Sequence, residues 1–257
     1  TAAGTAEDDS GTYTLNMTYT ADGKIDFDAL RAAIVAAVLP GTDVSDVTVT
    51  YESKAVVWPH KKDYTPLEGG WASGYRHEAI TVGTYNVKLT VNGVDTVVTV
   101  TLKDARTQAK IVFKQGVSLS YTKDAAAMRT QILDKLIDWS QTTVSKEAAA
   151  QSMVVEYYGT GRSKLLTHDD WYPVEGGTVK FGIDYTAPSI GAGENQKIRA
   201  SFPTTADYLG CDAVEGTLTV NKAFVRVHVK SAAIFYDEKP TTQQYVTTKP
   251  EDDFTIF

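Results

Sequence analysis

Two periods of hydrophobic residues take turns along the chain. Tyr13, Leu15, Met17 and Tyr19 are separated by Thr and Asn, a period of two that predicts a half-buried strand. Leu30, Ala33, Ile34, Ala37 and Val38 then fall at helical spacing, with Asp26 or Asp28 as cap and Pro40-Gly41 as stop. Val47, Val49 and Tyr51 return to the period of two. Segment 85–102 predicts a hairpin around Asn92-Gly93, a pair that tolerates the positive φ angles of a tight turn. A second round follows. A strand over 117–121 leads into a helix over 125–139 capped by Asp124, with Met128, Ile132, Leu133, Leu136 and Ile137 as its buried stripe and Trp139 in the core at its end. A short second helix is expected from Ser145, and strands near 153–157, 197–202 and 216–220.

The second round repeats the first in detail. Leu15-Asn-Met-Thr-Tyr-Thr-Ala-Asp22 aligns with Val117-Ser-Leu-Ser-Tyr-Thr-Lys-Asp124, Tyr64-Thr-Pro-Leu-Glu-Gly-Gly70 with Trp171-Tyr-Pro-Val-Glu-Gly-Gly177, and Val100-Thr-Leu-Lys-Asp-Ala105 with Leu218-Thr-Val-Asn-Lys-Ala223. Three anchors in one order predict tandem modules. The boundaries expected are a flexible N-terminal segment at 1–10, modules at 11–105 and 106–223, and at 224–257 the first strands of a third module or a C-terminal extension. That last piece ends before any helix or closing hairpin, so the segment is expected to come from a longer array. The fold class expected is mainly β, two tandem Ig-like β-sandwich modules each with an inserted α-helix, since a doubly wound sheet would need several helices per module.

The junction carries a family resemblance. Gly216-Thr-Leu-Thr-Val-Asn-Lys-Ala223, then alternating Val225, Val227 and Val229, then Tyr236-Asp237-Glu238-Lys239-Pro240, resembles the join between tandem Ig-like repeats, including MBG-type repeats, of Gram-positive-type bacterial surface proteins. The helix in each module departs from that family, whose repeats usually have strands alone. The resemblance implies a bacterial cell-surface protein, cell-wall associated or secreted, whose repeats serve as stalk or adhesive module.

Composition narrows the chemistry. Net charge is −7 over 257 residues, which argues against a basic nucleic-acid face. No apolar run is long enough to span a membrane. Cys211 is the single cysteine, so an intrachain disulfide or thiolate metal cage is excluded; it is expected as a small buried residue near a turn. His60, His77, His168 and His228 lie in no metal motif and read as surface or strand-face residues. His168-Asp169-Asp170 with Glu175 lacks the glycine-punctuated loop of a calcium site. Neither a nucleophile elbow nor a phosphate loop is present, nothing selects a carboxylate pair for glycoside hydrolysis, and no cofactor is expected. Lys88 or Lys103 with Asn92, and Lys222 with Asn221, could form isopeptide bonds in name only. The chain is therefore expected to be no enzyme.

Aromatic residues supply the candidate binding positions. Trp58, Tyr64, Trp71 and Tyr75 lie in the long segment 53–80, and Tyr158, Trp171 and Tyr172 in the matching region of the second module. Rigid aromatic faces bury much area at little entropy cost, which suits a host glycan or a host protein such as an immunoglobulin; the competing role is to fill the core or pin a loop. The remaining partners expected are neighbouring repeat modules.

Overall fold

A computed structural model describes residues 11–223 and the strand Ala6–Glu7. The third-copy strands expected over 224–257, His228 and the rest of segment 1–10 lie outside the described residues. The chain divides into two compact units. The first runs to Ala109 and includes Pro203–Cys211; the second comprises Lys110–Phe202 and continues from Asp212. The boundary expected at 105/106 thus falls four residues before the division, and a loop from the second half of the sequence belongs to the first unit.

In the first unit, β1 (Ala6–Glu7), β2 (Thr12–Asn16), β3 (Val47–Lys54), β4 (Lys62–Pro66), β7 (Gly83–Val91) and β8 (Val94–Lys103) make one sheet in the order β1-β2-β8-β7-β3-β4. β2 runs parallel to β8, and the other pairs are antiparallel. Two-residue strands β9 (Thr107–Gln108) and β16 (Tyr208–Leu209) pair in parallel, which is how Pro203–Cys211 joins this unit. Helix α1 (Phe27–Val38) connects β2 to β3. The Asp26 carboxylate accepts from the Ala29 amide at 2.9 Å and so caps it, and Leu39 closes it before Pro40. Its Leu30, Ile34 and Val35 are fully buried against Leu15, Val47, Val49, Val87, Leu89 and Val100, one face of the sheet. Each such side chain contributes roughly 1.5–3 kcal/mol. Across the opposite face Thr84 meets Thr101 at 2.9 Å, and Thr90 donates to Asp95 at 2.6 Å, as suits a solvated surface. The β7–β8 turn is the expected Asn92-Gly93, with φ of 49° and 79° and Val91 opposite Val94.

Arg106 closes this unit near the end of β8. Its guanidinium lies 3.5 Å from the centre of the Tyr19 ring and donates to both Asp104 oxygens. That donation holds the Asp104 carboxyl below the usual carboxylate range. A carboxyl depressed on folding stabilises fully above its unfolded value, about 3.9, and loses that contribution as pH falls through the folded value. Asp104→Asn should cost about 1–2 kcal/mol at neutral pH. In urea unfolding followed down the pH scale, the variant should lose less stability than the parent below pH ~4; parallel acid curves would contradict the assignment.

The second unit contains β10 (Ser118–Ser120), α2 (Ala125–Gln131), α3 (Lys146–Ser152), β11 (Val154–Arg162), β12 (Thr167–Pro173), β13 (Thr178–Phe181), β14 (Ile183–Thr186), β15 (Gly193–Phe202) and β17 (Cys211–Asn221). Asp124 caps α2 through the Ala126 and Ala127 amides, and Ser145 caps α3 through Ala148. The expected stripe is buried from Met128 to Ile137, but the helix ends earlier than 139. A wide turn over Ile132–Leu136 continues α2, and the half-buried Trp139 lies beyond it with its indole N–H on the Leu133 carbonyl at 2.9 Å. The indole satisfies a carbonyl that a longer helix would have bonded. Cys211 is also corrected: it opens β17 and is half-buried.

Both units share one strand order. Sheet neighbours β2-β8-β7-β3-β4 are matched by β10-β17-β15-β11-β12, each starting with a parallel pair, and a small ribbon follows β4 in one unit as β13–β14 follows β12 in the other. In the first unit that ribbon is β5 (Gly70–Ala72) with β6 (Tyr75–His77). Register refines the sequence alignment. Leu15 faces Leu102, and Leu119 faces Val220, so Leu15 corresponds to Leu119, two residues on from Val117. The slip arises because a turn around Thr20 to Lys24 precedes the cap in the first unit, leaving Asp22 bound to Lys24 and Asp26 as the cap. A shift of two keeps every side chain on its face.

The repeated Pro-x-Glu-Gly-Gly is a turn tied to a helix. Gly69 donates to the Pro66 carbonyl at 2.9 Å and Gly176 to Pro173 at 3.0 Å. Glu68 pairs with Arg31 of α1 at 2.6 Å, and Glu175 lies 2.5 Å from Arg129 of α2. The architecture is mainly β. In each unit one mixed sheet with a parallel pair is dominant, and the expectation of an Ig-like sandwich is met only at the level of a mainly β chain.

Candidate functional site on the paired hairpins

In each unit the small ribbon sits beside the hairpin that follows the long central strand. In the first, Ala55 bridges His77 and the Val56 amide donates to the Arg76 carbonyl at 2.8 Å, fastening the β3–β4 connection to β6. Underneath lies a buried polar trio. Ser53 Oγ is 2.7 Å from His77 Nδ1 and 2.9 Å from Thr65 Oγ1, and Tyr51 donates to the Glu78 carbonyl. Of the surface and strand-face readings, His77 meets the second: it lies on β6 with its ring turned inward to Ser53 of β3 and is buried. Its Nε2 has no hydrogen-bond partner among the described residues. A serine and histidine in contact invite a nucleophile reading. Both are buried, though, and among the described residues no carboxylate hydrogen-bonds the imidazole to orient it as a catalytic base.

This anchoring pushes apolar side chains into solvent. Val57 to His60 form a tight turn with a cis Trp58-Pro59 bond, closed by the His60 amide on the Val57 carbonyl at 2.9 Å. Trp58 is 84% exposed and Trp71, across β5–β6 from Arg76, is 77% exposed; Val56 and Val57 are exposed beside them. The second unit repeats the arrangement with aliphatic residues. Arg162 bridges Thr186, the turn closes through the Ser163 amide on Leu166 at 2.8 Å, and Leu165 is 92% exposed with Leu166 beside it. Phe181 and Ile183, exposed at the tip of β13–β14, flank Gly182, and the Phe181 ring meets His168 edge-on at 4.4 Å.

The other candidate aromatics do different work. Lys88 covers the Tyr64 ring at 4.7 Å, and Arg199 covers Trp171 at 4.6 Å. These pairs are equivalent, since Lys88 faces Thr50 in one sheet and Arg199 faces Glu156 in the other. Arg199 also binds Glu156 at 2.6 Å, and Trp171 meets Tyr158 edge-on at 5.6 Å with Lys197 over Tyr158. Such ladders fasten neighbouring strands, each contact contributing about 0.5–1 kcal/mol. Tyr75 is half-buried with Lys61 over its ring. Tyr172 needs a correction. It is fully buried, with its hydroxyl on the His168 carbonyl, and touches no solvent through which a ligand could reach it.

Comparison with known proteins finds no matching family model and no matching curated protein.

The site's chemistry follows from its own residues. Among the described residues no three His, Cys, Asp or Glu side chains are placed to hold a metal ion. Glu52 and Glu78 line an open depression of about 420 Å³ near Tyr51 and Tyr85, and Glu52 is bound to Lys62 at 3.1 Å. What the hairpins present is exposed apolar side chains, with Lys54, Lys61, Lys62, Arg162 and Lys164 in the same turn segments. Sequence reasoning picked out Trp58 and Trp71 but passed over Val56, Val57, Leu165, Leu166, Phe181 and Ile183. The signal was there: Val56-Val57-Trp58 breaks the alternation of β3 just before a proline, and Leu165-Leu166 sits where a turn should be polar.

Proposed function

We propose that the chain is a non-catalytic repeat segment of a bacterial cell-surface protein that spaces and presents its hairpin tips. The observation that supports this reading is the shared strand order of the two units, together with the repeated Pro-x-Glu-Gly-Gly turn held by a helix arginine in each. Modules built to one plan and joined in tandem are the means by which extended proteins gain length. The Ig-like, MBG-type assignment within this proposal rests on the junction sequence.

Antibody raised against the chain should label intact source cells, and brief protease treatment of those cells should remove the label. Label that appears only after lysis would refute the surface reading. Turnover of a glycoside substrate, lost in Glu78→Gln, would refute the non-catalytic one.

A further inference from the structure

We propose that the hairpin tips are lipid anchors, which insert their apolar side chains into the interface of an anionic membrane. In the first unit the tip residues are Val56, Val57, Trp58 and Trp71; in the second they are Leu165, Leu166, Phe181 and Ile183. Both sets occupy the same two hairpins of the shared plan, so the exposure is a repeated property and not one stray side chain.

Charge identifies the surface they fit. Residues 54–62 contain Lys54, Lys61 and Lys62 and no carboxylate, and 70–77 add Arg76; 161–167 contain Arg162 and Lys164 and again no carboxylate. The acids that flank these segments are Glu52, bound to Lys62, Asp63, which accepts from Ser73, Glu68, bound to Arg31, and Glu78 in the first unit, and Asp169, which accepts from Thr160, Asp170, 3.7 Å from His168, and Asp184 in the second. The turn segments 54–62 and 161–167 are thus cationic within a chain of net charge −7, with the acids lying outside them. Apolar turns that carry Lys and Arg in the same segment match the headgroup boundary of a bilayer with anionic lipids, where Trp is also favoured. A glycan would be met by aromatic faces and hydrogen-bonding groups; the second tip offers aliphatic Leu165, Leu166 and Ile183, and its Phe181 ring is already packed against His168, Tyr172 and Tyr185. Each tip alone is small, so binding should be reversible and salt-sensitive.

The test uses the full chain and vesicles of phosphatidylcholine with or without phosphatidylglycerol. The chain should sediment with the anionic vesicles at low salt, and salt should weaken it. Trp58→Ser with Trp71→Ser, and separately Leu165→Ser with Leu166→Ser, should each weaken the partition about tenfold. Val97→Ser, on the exposed sheet face, should leave it unchanged, and all the variants should retain the parent's melting temperature. Lipids brominated near the headgroup should quench parent fluorescence and spare the double tryptophan variant. Absence of vesicle binding at low salt, or binding indifferent to both tip variants, overturns the proposal. So does binding to a soluble glycan, lost in the tryptophan variant, without vesicle association. Cell labelling tests the surface reading separately, so either proposal can fail alone.

Discussion

Gly69→Ala is expected to destabilise the first unit by about 3–5 kcal/mol, whereas the equivalent Gly176→Ala should cost the second about 1 kcal/mol. Both glycines end the same turn with left-handed backbone, φ being 73° and 79°. A side chain pays the conformational penalty at either position. Only at Gly69 does it also meet a wall: the added Cβ would lie 2.5 Å from the Glu78 carbonyl carbon and oxygen and 2.7 Å from the Ala79 nitrogen. That wall cannot step aside cheaply, because the Glu78 carbonyl accepts from Tyr51 and the Ile80 amide donates to Leu67 at 2.8 Å. Around Gly176 there is open space. Urea unfolding of the two variants should therefore separate them clearly. Equal losses would mean that φ alone decides and the contact with 78–79 is not maintained.

This contrast shows what the sequence held and what it withheld. The repeated turn was visible as letters, and so were both capped helices and the Asn92-Gly93 hairpin, because each depends on spacing within a few residues. The parallel β2–β8 and β10–β17 pairs were not visible. They join strands over eighty residues apart, and strand periodicity carries no direction. The end of α2 was misplaced for a related reason: Leu136 and Ile137 continue the apolar stripe, but the indole of Trp139 takes a helix carbonyl and the chain turns away. Among the candidate aromatics, composition could not separate those that face a cation from those that face solvent. Tyr64 and Trp58 look alike as loop aromatics; the former lies under Lys88 because β4 pairs with β3 and β3 with β7. Tyr172 sits one residue from Trp171, and strand alternation sends it inward. Helical arginines 31 and 129 drew no attention, since nothing local shows that a turn glutamate from the far side of the sequence will meet them.

Arg129 is where the second large effect is expected. Its guanidinium is mostly buried and donates to three carbonyls around the end of α3, Ala149 and Ala150 at 3.1 Å and Met153 at 2.7 Å. The Glu175 carboxylate approaches Nε to 2.5 Å but lies off the N–H direction, so charge attraction and not a hydrogen bond joins that pair. Arg129→Ala would leave helix-end carbonyls without their donor and a carboxylate without its countercharge, and it should cost the second unit about 3–5 kcal/mol. Arg129→Lys should recover little of this. A single ammonium keeps the attraction to Glu175 but cannot spread donors over carbonyls that lie along a helical turn, which the planar fork does. The first unit sharpens the comparison. Arg31 meets Glu68 and Asp28 at a more exposed position, where the pairing is carboxylate only, so Arg31→Lys should cost within about 1 kcal/mol. If thermal unfolding found Arg129→Lys as stable as the parent, charge alone would account for the motif in both units, and the carbonyl contacts would carry no weight.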